Sequence, residues 1–244
     1  MFLLKILAVL LVIQVTKSEE WNGTRREEFP FVVNILKSDA QQSRIYLCNG
    51  ALIKENYVIT SASCVPEKDG KYVIRIGRKE IYVSKTIIHE NYVNDFFVKD
   101  NDIAILQLEE KIELNELINI VKLPSSKETI NKDIKSILVR STDDGTIYEP
   151  LQSIVANITE NTFCQLYLKK MNAILPGSQF CISPGIEYGS GPFYESGLPL
   201  VQKDDSGETV LIGIITDKHN VFTQVFLYID WINGTINDDA DTKY

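Results

Sequence analysis

The fold of this chain is constrained most by a succession of short runs rich in β-branched and aromatic residues, each closed by a polar turn. Residues 31–36, 50–53, 57–60, 72–76, 80–83 and 103–108 form a first set of such runs. Residues 137–139, 151–156, 179–182, 210–215 and 221–225 form a second. A Gly-Arg-Lys turn at 77–79 separates two runs of the first set, and residues 109–127 connect the sets. Many short strands at this spacing predict an all-β barrel or sandwich, because each half-buried strand needs partners to cover its edges. The 244 residues suffice for one large β domain or two small barrels. Residues 226–236 read as a helix with Tyr228, Ile229, Trp231 and Ile232 as its apolar stripe, followed by a frayed acidic tail at 237–244.

The amino terminus reads as a secretory signal over residues 1–18. Lys5 supplies the positive start, Ile6 to Ile13 the apolar segment, and Thr16 and Ser18 the small residues before cleavage at Glu19. That apolar segment is too short to span a bilayer, and no later segment suits a membrane helix. The expectation is a secreted, extracellular protein without a membrane partner. A net charge of −8 repels phosphate backbones, so nucleic acid is not expected as a partner either. The four cysteines, Cys48, Cys64, Cys164 and Cys181, are an even set in a secreted chain and allow three pairings. Asn22, Asn157 and Asn233 each open an Asn-X-Thr sequon for N-glycosylation. No His-Glu-X-X-His, Cys-X-X-Cys or phosphate-binding glycine loop is present, so no metal and no cofactor is expected. The glycines between Gly185 and Gly191 sit in a β context, and Asp238-Asp239-Ala240-Asp241 reads as solvated tail.

Three motifs, in order, carry a resemblance. Thr60-Ser61-Ala62-Ser63-Cys64 resembles the Thr-Ala-Ala-His-Cys motif of chymotrypsin/trypsin-family serine proteases, with serine where the histidine belongs. Asp100-Asn101-Asp102-Ile103-Ala104 resembles the aspartate strand, and Tyr194-Glu195-Ser196-Gly197-Leu198-Pro199-Leu200 resembles Gly-Asp-Ser-Gly-Gly-Pro-Leu around the nucleophile. Pro30 to Val33 is similar to the first strand, Ile87 to Tyr92 to the Ile-X-X-His-Pro-X-Tyr segment, and Phe222 to Ile232 to the last strand and terminal helix. The resemblance covers nearly all of 19–236 as a peptidase-like domain. It implies two perpendicular six-stranded antiparallel β-barrels, about 29–113 and 128–225, with the site in the cleft between them and a C-terminal helix at 226–236. It also implies the pairings Cys48–Cys64 and Cys164–Cys181, each worth about 3 kcal/mol for loops of this length. The bridge that relatives carry beside the nucleophile is missing, with Pro192 at its first position.

Serine hydrolysis needs a hydroxyl, a base that takes its proton, and a carboxylate that orients the base. By resemblance Ser196 matches the nucleophile and Asp102 the carboxylate, while Ser63 replaces the base. A hydroxyl is far too weak a base for this step, and losing the histidine costs on the order of 10⁶ in rate, about 8 kcal/mol. The chain has only two histidines to replace it. His89 matches a structural histidine outside the cleft, and His219 reads as a solvated loop residue.

Three further parts depart from the pattern. Tyr194 replaces the glycine whose N–H points into the oxyanion hole, and Glu195 replaces the aspartate that pairs with the activation terminus. Glu20-Trp21-Asn22-Gly23 stands where the Ile-Val-Gly-Gly terminus belongs, and a charged glutamate there faces a desolvation penalty. Arg25-Arg26 lies past that point and reads as a solvated pair. In the pocket, Ser190 stands at the specificity position, Thr216-Asp217-Lys218 replaces Ser-Trp-Gly, and Arg140-Ser141-Thr142 replaces Gly-Trp-Gly.

The resulting expectation is a catalytically inactive serine protease homologue. It acts by binding an extracellular protein partner (a protease, an inhibitor or a surface ligand) as decoy, adaptor or cofactor. The alternatives are a weak or substrate-assisted endopeptidase using Ser196, and an abundant structural or nutritive secreted protein.

Overall fold

The computed structural model describes residues 22–39, 43–94, 99–125, 130–141, 151–158, 169–170, 174–183, 196–217 and 221–241. The expected signal at 1–18 lies outside the described residues. The first barrel comprises β2 (Val32–Ser38), β3 (Arg44–Lys54), β4 (Tyr57–Thr60), β5 (Tyr72–Ile76), β6 (Lys79–Ile88) and β7 (Ala104–Leu108). These close antiparallel in the order β2-β3-β4-β7-β6-β5. Closure removes every free edge, which is how short strands of this kind become stable together. The β5–β6 hairpin turns on two residues, Gly77 and Arg78, between the pair Ile76 and Lys79. Gly77 has φ +58 at the first turn position, the conformation that a II′ hairpin turn requires and glycine supplies without steric cost.

The second barrel comprises β8 (Ser136–Ser141), β9 (Leu151–Ile158), β10 (Gln179–Ser183), β11 (Pro199–Lys203), β12 (Thr209–Asp217) and β13 (Val221–Gln224). The order β9-β10-β13-β12-β11-β8 closes through a β8–β9 pairing. A further short strand, β1 (Asn22–Thr24), adds onto β9 with Asn22 opposite Ser153 and Thr24 opposite Leu151. Strand β9 shows the alternation plainly. Ile154, Ala156 and Ile158 point into the core while Val155 and Asn157 face outward. One hydrophobic cluster fills the first barrel and continues through Val139, Leu151, Val201 and Ile214 into the seam between barrels. A second, around Leu138, Leu200, Ile212 and Phe222, fills the second barrel. The two six-stranded antiparallel barrels and single C-terminal helix are those of the chymotrypsin-like fold. Among the described residues no helix is long and apolar enough to cross a membrane.

Several boundaries differ from the sequence expectation. Strand β11 is absent from the runs expected above, because its leading Pro199 hides it. Proline is tolerated as a first strand residue, where no ladder N–H is demanded. The helix α1 spans Ile229–Asp241 rather than 226–236. Residues Val225–Tyr228 wind as a tighter 3-10 turn, with Ile229 N–H bonded back to Phe226 O and no side-chain cap at Gln224. At the other end α1 takes in most of the expected acidic tail. Ile236 is buried and holds the preceding turn to the core, so further residues add onto an established helix at little cost. Arg26 also departs from the reading of a solvated pair: Arg25 is exposed, but Arg26 is half-buried and its Nη2 donates to Val32 O at 2.7 Å. The Gly77 turn lies against that guanidinium, so Arg26 fastens the amino-terminal segment to the first barrel.

Candidate functional site

Strand β4 ends at Thr60, and a single 3-10 turn, Ala62–Cys64, follows it. The Cys48–Cys64 disulfide, with Cα atoms 6.1 Å apart, ties this turn to the middle of β3 and fixes the neighbouring Ser63. Cys181 is disulfide-bonded as well, while its expected partner Cys164 lies outside the described residues.

Ser63 faces Asp102. Its N–H donates to Asp102 Oδ1 at 2.7 Å and its hydroxyl donates to Asp102 Oδ2 at 2.8 Å. The carboxylate is fully buried, so these bonds supply solvation that water does not. Ser63 Oγ also lies 3.4 Å from Ser61 Oγ and 3.4 Å from the Thr216 carbonyl. It has one proton, and the charged, closer carboxylate claims it. Tyr92 completes the wall. Burial, and then the Asp102 charge, push its phenol well above the ordinary range, which keeps it protonated at any physiological pH.

The loop carrying Asp102 is held from several directions. Asn101 adopts φ +51, a left-handed conformation that asparagine tolerates better than most residues. Its Oδ1 accepts from Tyr228 Oη at 3.0 Å and its Nδ2 donates to Asn91 O at 3.0 Å. Ser178 Oγ donates to Asp100 Oδ1 at 2.7 Å, and Thr223 Oγ1 donates to the Asp102 carbonyl at 3.1 Å. These contacts draw on β13, the approach to β10 and the turn before α1. Burial pushes the Tyr228 phenol up, with Ser178 pulling the other way, so Tyr228 stays a donor.

Ser196 and Gly197 form the turn before β11. The Ser196 carbonyl accepts from Asn49 N–H at 3.3 Å, and Gly197 N–H donates to Ile215 O at 2.9 Å. Gly197 has φ +80, and a Cβ there would lie 2.1 Å from Asn49 O, so no other residue fits without moving the backbone. Sequence reading missed Asn49. It is buried in β3, accepts from Thr60 Oγ1 at 2.8 Å through its carbonyl and from Ser141 N–H at 2.9 Å through its side chain, and its Nδ2 donates to Tyr46 Oη. An asparagine between Cys48 and Gly50 in an otherwise apolar strand was the available signal, since a polar group buried there must find partners.

The remaining candidates divide. Thr216 is buried, and its hydroxyl donates to Val221 O at 3.2 Å within the second barrel. Asp217 closes β12 opposite Val221. Arg140 donates through Nε and Nη2 to Gln152 Oε1 at 2.9 and 2.8 Å. Ser190, Tyr194, Glu195, Lys218 and His219 lie outside the described residues. His89 is buried, packed edge-on to Tyr228 at 5.3 Å and tilted against Trp231 at 5.0 Å, with Nδ1 accepting from Asn91 N–H at 3.2 Å. It fastens the C-terminal helix to the first barrel. Among the described residues, no group of three or more His, Cys, Asp and Glu side chains is arranged to hold a metal ion.

The family model described as Trypsin matches residues 21–232, most of the chain. The chain belongs to the trypsin family. Chymotrypsin-C of Bos taurus is similar to it, 27% identical over 217 residues that cover 77% of this chain and 77% of that protein.

Proposed function

We propose that this chain is a secreted, catalytically inactive member of the trypsin family that acts by binding. Its partner is an extracellular protein, namely a protease, an inhibitor or a surface ligand, and its role is that of decoy, adaptor or cofactor in a protease pathway. The observation that carries this reading is the bond of Ser63 Oγ to Asp102 Oδ2 at 2.8 Å. Asp102 is supplied with donors, and no imidazole stands at this turn to take a proton from Ser196. His89 is packed against Tyr228 and Trp231, in a structural role. The substitutions at Tyr194, Glu195, Ser190, Asp217 and Lys218 support the same reading from the sequence. The leader at 1–18 and the paired cysteines support secretion.

The deciding experiment is fluorophosphonate labelling of the protein secreted from eukaryotic cells, beside active trypsin and a Ser196→Ala control. The expected result is no Ser196-dependent labelling. Specific labelling would overturn the reading in favour of a residual or substrate-assisted peptidase. Ser63→His is expected to stay unlabelled too, because the oxyanion loop and pocket also depart from the pattern. Labelling of that variant would confine the loss to a single residue.

A further inference from the structure

Two of the three sequon asparagines are brought together by the pairing of β1 with β9. Asn22 lies directly opposite Ser153. Residues opposite one another in an antiparallel pair project to the same side, so Asn22 shares the face of Ser153. Along β9 the period of two puts Ser153, Val155 and Asn157 on that same face. The burial pattern agrees, with Ile154, Ala156 and Ile158 at 4%, 2% and 7% exposure on the inner face and Val155 at 39% on the outer. Asn22 and Asn157 are both exposed, and a Cβ placed on Gly23 would meet nothing within 4 Å. Four residues of strand separate Ser153 from Asn157, about 13 Å. The two asparagines therefore flank Val155, an exposed apolar residue that lies opposite half-buried Ile137 of β8.

We propose that Asn22 and Asn157 both carry N-linked oligosaccharides, which stand side by side on this outer face of the second barrel. The proposal rests on the secretion half of the functional reading, since the donor is met only in the secretory pathway. The donor is an oligosaccharide linked through its reducing-end sugar to a lipid diphosphate. The Asn side-chain nitrogen bonds to the anomeric carbon of that sugar and gives up one proton. The bond from that carbon to the diphosphate oxygen breaks, and the lipid diphosphate leaves with its electron pair. Transfer acts on the chain before β1 and β9 pair, and the folded product then presents both sugars to solvent. A protein approaching this face meets carbohydrate, so the binding surface lies elsewhere on the molecule.

The test expresses the full chain in a eukaryotic secretory host and treats the secreted protein with peptide N-glycosidase in ¹⁸O water. Expected are a loss of mass on treatment and ¹⁸O-labelled aspartate at both position 22 and position 157. Asn22→Gln and Asn157→Gln should each remove one glycan step from the intact mass, and Asn22→Gln/Asn157→Gln should remove two. Secreted protein with unlabelled asparagine at either position overturns the proposal while leaving secretion intact. Full-length protein retained in the cytosol, with its leader uncut, overturns the secretion reading itself and the proposal with it. The ¹⁸O measurement uses the wild-type chain, so a variant that misfolds does not obscure the outcome.

Discussion

Asp102 and Ser63 are 2.8 Å apart, yet the segments that carry them are secured very differently. The aspartate loop is gripped by Ser178, Thr223 and Tyr228 from the second barrel and the C-terminal segment, and by Asn91 from its own barrel. The Ser63 turn is held by a disulfide on one side and by the carboxylate on the other. The first set of contacts joins two barrels and therefore supports the whole fold. The second positions one side chain. The contacts that join the barrels and those that position Ser63 thus draw on different atoms, so the fold does not depend on which side chain stands at position 63.

The comparison is tested hardest at the joint between the barrels. Gly197→Ala places a Cβ against Asn49 O and forces φ out of the left-handed region, so it should cost more than about 3 kcal/mol or prevent folding, measured by chemical denaturation. A mild effect would mean that the Ser196–Gly197 turn is not seated on β3. Next comes Asp102→Ala, which removes the acceptor of the Ser63 N–H and leaves the hydroxyl only its 3.4 Å contacts to Ser61 and Thr216. A loss of about 2–4 kcal/mol is expected. Ser63→Ala removes one donor to a buried carboxylate and should cost about 1–3 kcal/mol, less than Asp102→Ala. If the two losses came out reversed, the Ser63 turn would be the stronger anchor and the contrast would fail. Tyr228→Phe removes the hydroxyl from Asn101 Oδ1 and should cost about 1 kcal/mol. A larger loss there would sharpen the contrast by showing that the grip on the aspartate loop is cooperative.

The smallest effect is expected at the surface. Lys122, with help from Ser206, holds the Asp204 carboxyl well below its ordinary 3.8. A depressed folded-state value contributes stability above that ordinary pH, and the contribution fades as pH falls toward the lower folded value. Asp204→Asn should therefore lower stability slightly near neutrality and flatten the profile below about pH 4, so that its difference from the wild type vanishes as pH falls, followed by thermal unfolding across pH.

Most of the strands were legible because alternation is a local signal. Tyr72–Ile76 reads the same in sequence and structure. Strand β6 extends from the expected 80–83 to Lys79–Ile88, since Ser84 and Lys85 are consecutive exposed residues at a register shift against β7 and break the alternation. Strand β1 was invisible, because it has only three residues, two of them the poor strand formers Asn22 and Gly23, and it pairs only when β9 offers its edge. Ser63 was singled out by one motif and Asp102 by another, and the fold brings the two side chains together.

The sequence alone determined that the chain is built of many short strands, the closeness of Cys48 to Cys64 through the family motif, and the scarcity of histidine. Each is a property of neighbours along the chain or of composition. Only the tertiary structure decided where Ser63 spends its proton, that Arg26 is half-buried against β2, and that Asn49 bonds both to the Ser196 turn and to Ser141, 92 residues away from it. A buried polar group must be satisfied wherever the fold brings a partner, and that partner is chosen by three-dimensional proximity, which no local pattern encodes.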